Sequence, residues 1–288
     1  MASKPMPAAF IGHGSPMNTL EVNRFTTAWR DLGASMPRPR AILCISAHWV
    51  IKGTAITAMP RPRVIHDFYG FPQELFAFDY PAPGAPEIAQ EIADLAQPAY
   101  IGLDHDSWGL DHGTWSVLAH MFPTADIPVL QLSLHAEEGA GYHVELGRCL
   151  APLRERGILV LGSGNVVHNL RRMDRSLGDH AFDWATRFDD EVRRIMTTQP
   201  RDLPSVVEHP DFRLAVPTAE HFIPLLYLAG MCDAAGVPAT AFAEGGAMGS
   251  LTMTSYGLGL PHAPEERGGG TGATLPDPAV VPPAQTNL

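Results

Sequence analysis

With 288 residues, 45% of them hydrophobic, the chain is long enough to bury a proper core. A formal net charge of -11, from 20 basic and 31 acidic residues, and the lack of any basic run exclude nucleic acid and anionic membranes as expected partners. No apolar run nears the roughly 20 residues that span a bilayer, and residues 1–10 lack the charged-then-apolar order of an export signal, so a cytoplasmic location is expected.

Along the chain, apolar β-rich runs at 8–11, 41–45, 127–132, 158–161 and, less sharply, 239–242 predict mostly buried strands. Stretches with helical spacing lie between them at 21–32, 85–96, 112–122, 182–196 and 223–231. This alternation predicts an α/β fold with helices flanking a central sheet. In the third helix Trp115, Leu118 and Met121 form a core stripe. The run 142–156 is also helical in pattern, but Pro152 predicts a break near Ala151. Cys44, Cys149 and Cys232 sit singly in apolar segments and are expected to be buried thiols of a reducing compartment. Nothing divides the chain before residue 262, so residues 1–262 are expected to form one catalytic domain. From 263 to 288 Gly and Pro replace bulky apolar residues, which predicts a disordered tail dispensable for chemistry.

Thirteen histidines against 20 Lys plus Arg are the compositional oddity, because imidazole is the commonest metal ligand and proton shuttle. His105, His143, His180, His209 and His262 are read as ordinary surface or core residues. Four others follow strands or open a helix among small residues. His13 lies in Gly-His-Gly-Ser-Pro after the first strand, His48 in Ser-Ala-His-Trp after the second, and His168 beyond the Gly162–Asn165 turn of another. Carboxyl ends of strands are where α/β sheets place their sites. Glu220 and His221 together precede an apolar helix that Pro224 helps to start.

Other chemistries lack their patterns. The Gly162–Asn165 turn matches neither the dinucleotide fingerprint nor the P-loop, no Gly-x-Ser-x-Gly elbow stands near a placed acid and base, and zinc-protease and structural-zinc spacings are absent. What remains is a site assembled from distant segments out of imidazoles and a carboxylate.

Seven ordered segments (12–18, 46–49, 66–72, 108–115, 162–170, 217–227 and 248–251) resemble those of the LigB-type, or class III, extradiol ring-cleavage dioxygenases, in particular the 4,5-DOPA extradiol branch. The resemblance spans Pro7 to about Gly259. It implies a LigB-like α/β fold with a central mixed sheet and a mononuclear non-haem metal site. His13 and His48 are then the first metal ligands, with His168 and His221 at further metal-site positions. It leaves open whether Glu220 or His221 completes the ligand set, and whether His168 is a ligand or an acid/base residue; His112 or His168 is the expected base. Fe(II) is the implied cofactor for activity, and Zn(II), the stronger binder in the general divalent order, competes for the same site. The implied partners are a DOPA-like catechol and O2. The His66–Pro72 run is an aromatic loop that either walls the ring pocket or simply packs the surface. The rival readings are a zinc-dependent hydrolase, which needs an open metal-bound water, and a non-catalytic protein-binding module on the same scaffold.

Overall fold

The chain's longest apolar runs form strands that are buried on both faces. In the computed structural model, which describes residues 4–264 and 267–282, they build a mixed sheet of eight strands. These are β1 (Ala8–Gly12), β2 (Ala41–Ile51), β3 (Ala55–Thr57), β4 (Gly102–Asp104), β5 (Val129–His135), β6 (Ile158–Gly164), β7 (Thr240–Phe242) and β8 (Ser255–Leu258). Their order in space is β4-β3-β5-β2-β6-β1-β8-β7. The centre, β5-β2-β6-β1, is parallel, while β8 runs antiparallel to both β1 and β7.

Successive side chains of a strand point to opposite faces, and here each face meets its own core. Ala8, Phe10, Leu43, Ile45, Ile158 and Val160 enter the core covered by α2 (Pro86–Leu95), α4 (Ala140–Leu150), α5 (Asp183–Thr198) and α6 (Ile223–Ala235). Ala9, Ile11, Ile42, Cys44, Leu159 and Leu161 enter the core covered by α1 (Arg24–Ser35) and α3 (His112–Met121). Two-sided burial is why these strands read as continuous apolar runs without alternation.

Helix starts follow local chemistry. The apolar pattern places the first helix at 21, but α1 begins at Arg24 because Asn23 closes a capping box: its side chain accepts from the Phe25 and Thr26 amides, and Thr26 Oγ1 accepts from the Asn23 amide. Asp111 caps α3 through Thr114 N, an interaction that typically stabilises a helix by about 1 kcal/mol. The Trp115, Leu118 and Met121 stripe is fully buried, as its spacing predicts. At the predicted break, α4 ends at Leu150 and a 3-10 segment, Ala151–Arg156, carries Pro152. All three cysteines are free thiols; Cys44 and Cys232 are buried, whereas Cys149 is only half-buried on α4.

Residues 267–282 depart from the free tail that composition predicts. Gly272 O accepts from the amide of Ser15, Gly269 O accepts from the amide of Arg24, and Ala273 is 3% exposed. Short side chains let this stretch lie flat on the loop that follows β1. Residues 265–266 and 283–288 of the same expectation fall outside the described residues. Among the described residues no helix is long and apolar enough to cross a membrane.

Candidate metal centre and active site

At the carboxyl ends of the parallel strands, five histidines from five separate segments line one cavity of about 340 Å³. His13 follows β1 directly. His48 lies near the end of β2, where the pairing with β5 shifts register between Ile45 and Val50, an irregularity of the kind that re-aims side chains. His112 is the first residue of α3, and His168 forms an isolated bridge with Leu251 in the loop beyond β6. His221 lies in the turn before α6.

Gly164, the last residue of β6, brings two of these segments together. Its carbonyl accepts the His13 amide, while the His221 carbonyl sits where a side chain at 164 would have to stand, 2.1 Å from an added Cβ. The next amide, Asn165 N, then donates to that His221 carbonyl. A glycine here is what allows the close approach.

Hydrogen bonds assign the tautomers. Ser163 Oγ gives its one proton to Gly113 O, so it can only accept from His13 Nδ1, 2.9 Å away, and His13 Nε2 keeps its lone pair. Asp67 lies 2.9 Å from His112 Nδ1 and 3.3 Å from His48 Nδ1, and also accepts the His112 amide. The His112 ring nitrogen is off the ideal hydrogen-bond line, so this contact is chiefly electrostatic. A lone pair so close to a carboxylate would be repelled, so both Nδ1 atoms carry the proton. His221 Nδ1 donates likewise to Glu220 Oε1 at 3.4 Å. Four rings therefore leave Nε2 unprotonated, and His13 and His48 turn these atoms to within 3.3 Å of each other. One ring nitrogen from each of His13, His48 and His112 lies within 4.8 Å of the other two. Ring centroids of His13, His48 and His221 are 5.1, 5.4 and 5.1 Å apart, and His168 stacks on His221 at 3.5 Å.

Burial and neighbouring charge keep His13, His48, His168 and His221 neutral. Burial, and then the mutual repulsion of the rings, holds His13 and His221 well below the ordinary histidine range. His48 is lowered by burial and by His112, with Asp67 opposing. His168 falls to about 4, mainly through burial, although Glu220 favours its charged form. Asp67 is itself buried, which raises a carboxyl, yet contacts from His112 and His48 hold it well below the usual range. Asp111 is pushed up to about 6 by burial and by the nearby charge of Asp67. Neutral imidazole is the metal-binding form, and buried neutral imidazoles grouped in this way suit a divalent ion.

Every histidine that the sequence singles out for the site, His13, His48, His112, His168 and His221, lines the cavity. Glu220 stands behind: it accepts from Thr218 Oγ1 at 2.6 Å and buttresses His221. From the aromatic loop Phe71 reaches the cavity wall, while His66 is held by Phe78 O and packs on Trp115. Asp67, on the same loop, is the residue sequence reasoning missed; its one signal is a carboxylate in the run next to His66. None of the five histidines read as ordinary, His105, His143, His180, His209 and His262, is among the lining residues.

Residues 8–258 match the family model of the catalytic LigB subunit of aromatic ring-opening dioxygenase. A 4,5-DOPA dioxygenase extradiol of Escherichia coli K12 is 47% identical over 263 residues, covering 90% of this chain and 97% of that protein. A protein of the same name from Beta vulgaris is 38% identical, over 75% of this chain and 83% of its own length. The crystal structure of an uncharacterized protein from Escherichia coli K12 superposes with a TM-score of 0.78 at 43% identity, over 88% of this chain and all of that one. The family implies a non-haem metal site, a small aromatic substrate and O2, which are what a cluster of neutral imidazoles under a mainly apolar cavity can accommodate. A match that runs from the first strand of the sheet to the last makes the chain a member of the LigB family of aromatic ring-opening dioxygenases.

Proposed function

We propose that this enzyme opens the ring of a DOPA-like catechol by extradiol cleavage, using O2 and Fe(II) held by His13, His48 and His221. The observation that carries the reading is the near-equilateral triangle of those three rings, with sides of 5.1 to 5.4 Å. Three imidazoles bound to one ion through nitrogens about 2.1 Å from it bring their ring centroids roughly 5 Å apart. His48 and His112, at 4.0 Å, are too close to fit that pattern comfortably. Glu220 serves as the carboxylate that orients His221, the usual arrangement behind a metal-bound histidine.

Fe(II) held by these residues would supply the Lewis-acid and one-electron chemistry that lets a bound catechol react with O2. The chain's own residues do the rest. Phe71, Leu170, Met173 and Leu251 hold the ring in apolar surroundings and exclude water. His168 takes the hydroxyl proton as the diol binds and later returns it to the leaving oxygen, and His112, steadied by Asp67, offers its free Nε2 as acceptor to the second hydroxyl.

A DOPA-like substrate is favoured by the relatives' names and by charge in a groove that adjoins the cavity. Arg171, Arg172 and Arg175 line a groove that shares Met173 with the cavity; they make no ion pair among the described residues, and Asp174, the one carboxylate of the groove, accepts from Ser176. They suit the carboxylate of an amino-acid side chain. The test is metal content and turnover in parallel. His13→Ala, His48→Ala and His221→Ala should each lose Fe(II) and turnover together, whereas His112→Gln and His168→Gln should keep the metal and lose at least about 100-fold in kcat. Retained turnover in His13→Ala or His48→Ala contradicts the assignment.

A further inference from the structure

The family match ends at Leu258, yet part of the cavity wall comes from beyond it. Ala273 and Leu275, on a strap that lies after the matched residues, line the cavity together with Phe71 and Leu170. The strap is fastened at several points to the loop that carries His13. Gly272 O accepts from Ser15 N and from Asn18 Nδ2, Thr271 O accepts from Asn23 Nδ2, and Thr274 Oγ1 donates to Glu21 Oε1. Asn18 Nδ2 also donates to His13 O, so a single amide ties the strap to a metal-ligand candidate. Gly14, beside His13, is in the left-handed region at φ 64°, and an added Cβ there would stand 2.3 Å from Gly272 O. The bare backbone at 14 thus matches the strap's path.

We propose that residues 269–275 form a specificity wall, in which Ala273 and Leu275 set the size of the ring substituent the enzyme accepts. The proposal deepens the dioxygenase reading of the same cavity and rests on it. The physical warrant is scale. A cavity of about 340 Å³ is near the lower end for a small-molecule site, so one added or removed side chain changes which substituents fit. A methylene in such a pocket is worth roughly 10- to 200-fold in discrimination. Ala273 is 3% exposed and has no slack toward solvent, so a larger residue there must project into the cavity or lift the strap.

The experiment uses the full chain. Amide hydrogen exchange on the wild type, without substrate, should show protection at Ser15, Arg24 and Ala273, the amides that donate across or within the strap; exchange at all three as fast as in free chain overturns the proposal whatever the enzyme does with catechols. Binding of catechol, 4-methylcatechol, 4-tert-butylcatechol and L-DOPA is then measured on zinc-loaded protein, and kcat and KM on the Fe(II) form. Ala273→Leu should weaken binding of the bulkier catechols at least 10-fold more than that of catechol itself, with the loss in KM rather than kcat. Leu275→Ala should shift the preference toward 4-tert-butylcatechol several-fold. Val280→Ala, on the exposed part of the same segment, should leave the ranking as in the wild type. Unchanged rankings in both lining variants, with a wild type that binds catechols, overturn the wall; a protected strap in a protein that neither binds nor turns over any catechol overturns the dioxygenase reading instead.

Discussion

Asp67 is the residue on which the geometry of the site turns. One carboxylate faces the Nδ1 atoms of His48 and His112 and caps the His112 amide, so it fixes two rings at once and leaves both Nε2 atoms free. Replacing such an orienting carboxylate typically costs 10- to 100-fold in metal affinity or activity. Asp67→Asn keeps the volume but offers an NH2 group where an acceptor is needed. We expect about a 10- to 100-fold fall in kcat with a smaller change in KM, together with weaker zinc binding in a competition titration and an altered kcat pH profile. Asp67→Glu should recover part of each, and an Asp67→Asn protein with wild-type zinc affinity and an unaltered pH profile would contradict the role. The histidines themselves were legible in the sequence because each stands after a strand or at a helix start. Asp67 was not, because a carboxylate in an aromatic loop has no pattern until the fold brings α3 beside it.

At the scale of elements, strand β6 does more than fill the sheet. Its last residue accepts the His13 amide, and the absent side chain there admits the backbone of the His221 turn. Gly164→Ala puts a Cβ 2.1 Å from the His221 carbonyl and 3.3 Å from Phe10, so the turn must move. Crowding of this kind costs about 1–3 kcal/mol. The variant should lose several degrees in Tm and bind zinc more weakly, because His221 is displaced. Gly141→Ala in α4, exposed and with nothing within 4 Å of the added carbon, should be neutral or slightly stabilising. Equal effects of the two substitutions on zinc binding would contradict the positioning argument. The long central strands and helices were legible from apolar runs and helical spacing. The three-residue strands β3 and β4, and β8 with its Ser-Tyr-Gly-Leu, were not, because such short pieces owe their pairing to neighbours in the sheet and carry little pattern of their own.

The whole molecule gathers five histidines from across some 200 residues of chain at one end of a parallel sheet, and burial keeps His13, His48, His168 and His221 neutral and ready for a metal. The C-terminal stretch shows what composition alone misses. A Gly-rich segment reads as free chain because it has few bulky apolar side chains to bury, but its bare backbone can lie close to another loop and be held there by hydrogen bonds, as at Gly272. The central claim, ring opening by O2 at this histidine centre, is tested most directly by reconstituting the protein with Fe(II) under anaerobic conditions and then following oxygen uptake and the visible spectrum on adding L-DOPA or catechol. The account predicts oxygen consumption and a yellow product confined to the Fe(II) form, with the zinc form silent. No uptake by the Fe(II) form across these substrates, or equal turnover with zinc, would contradict it.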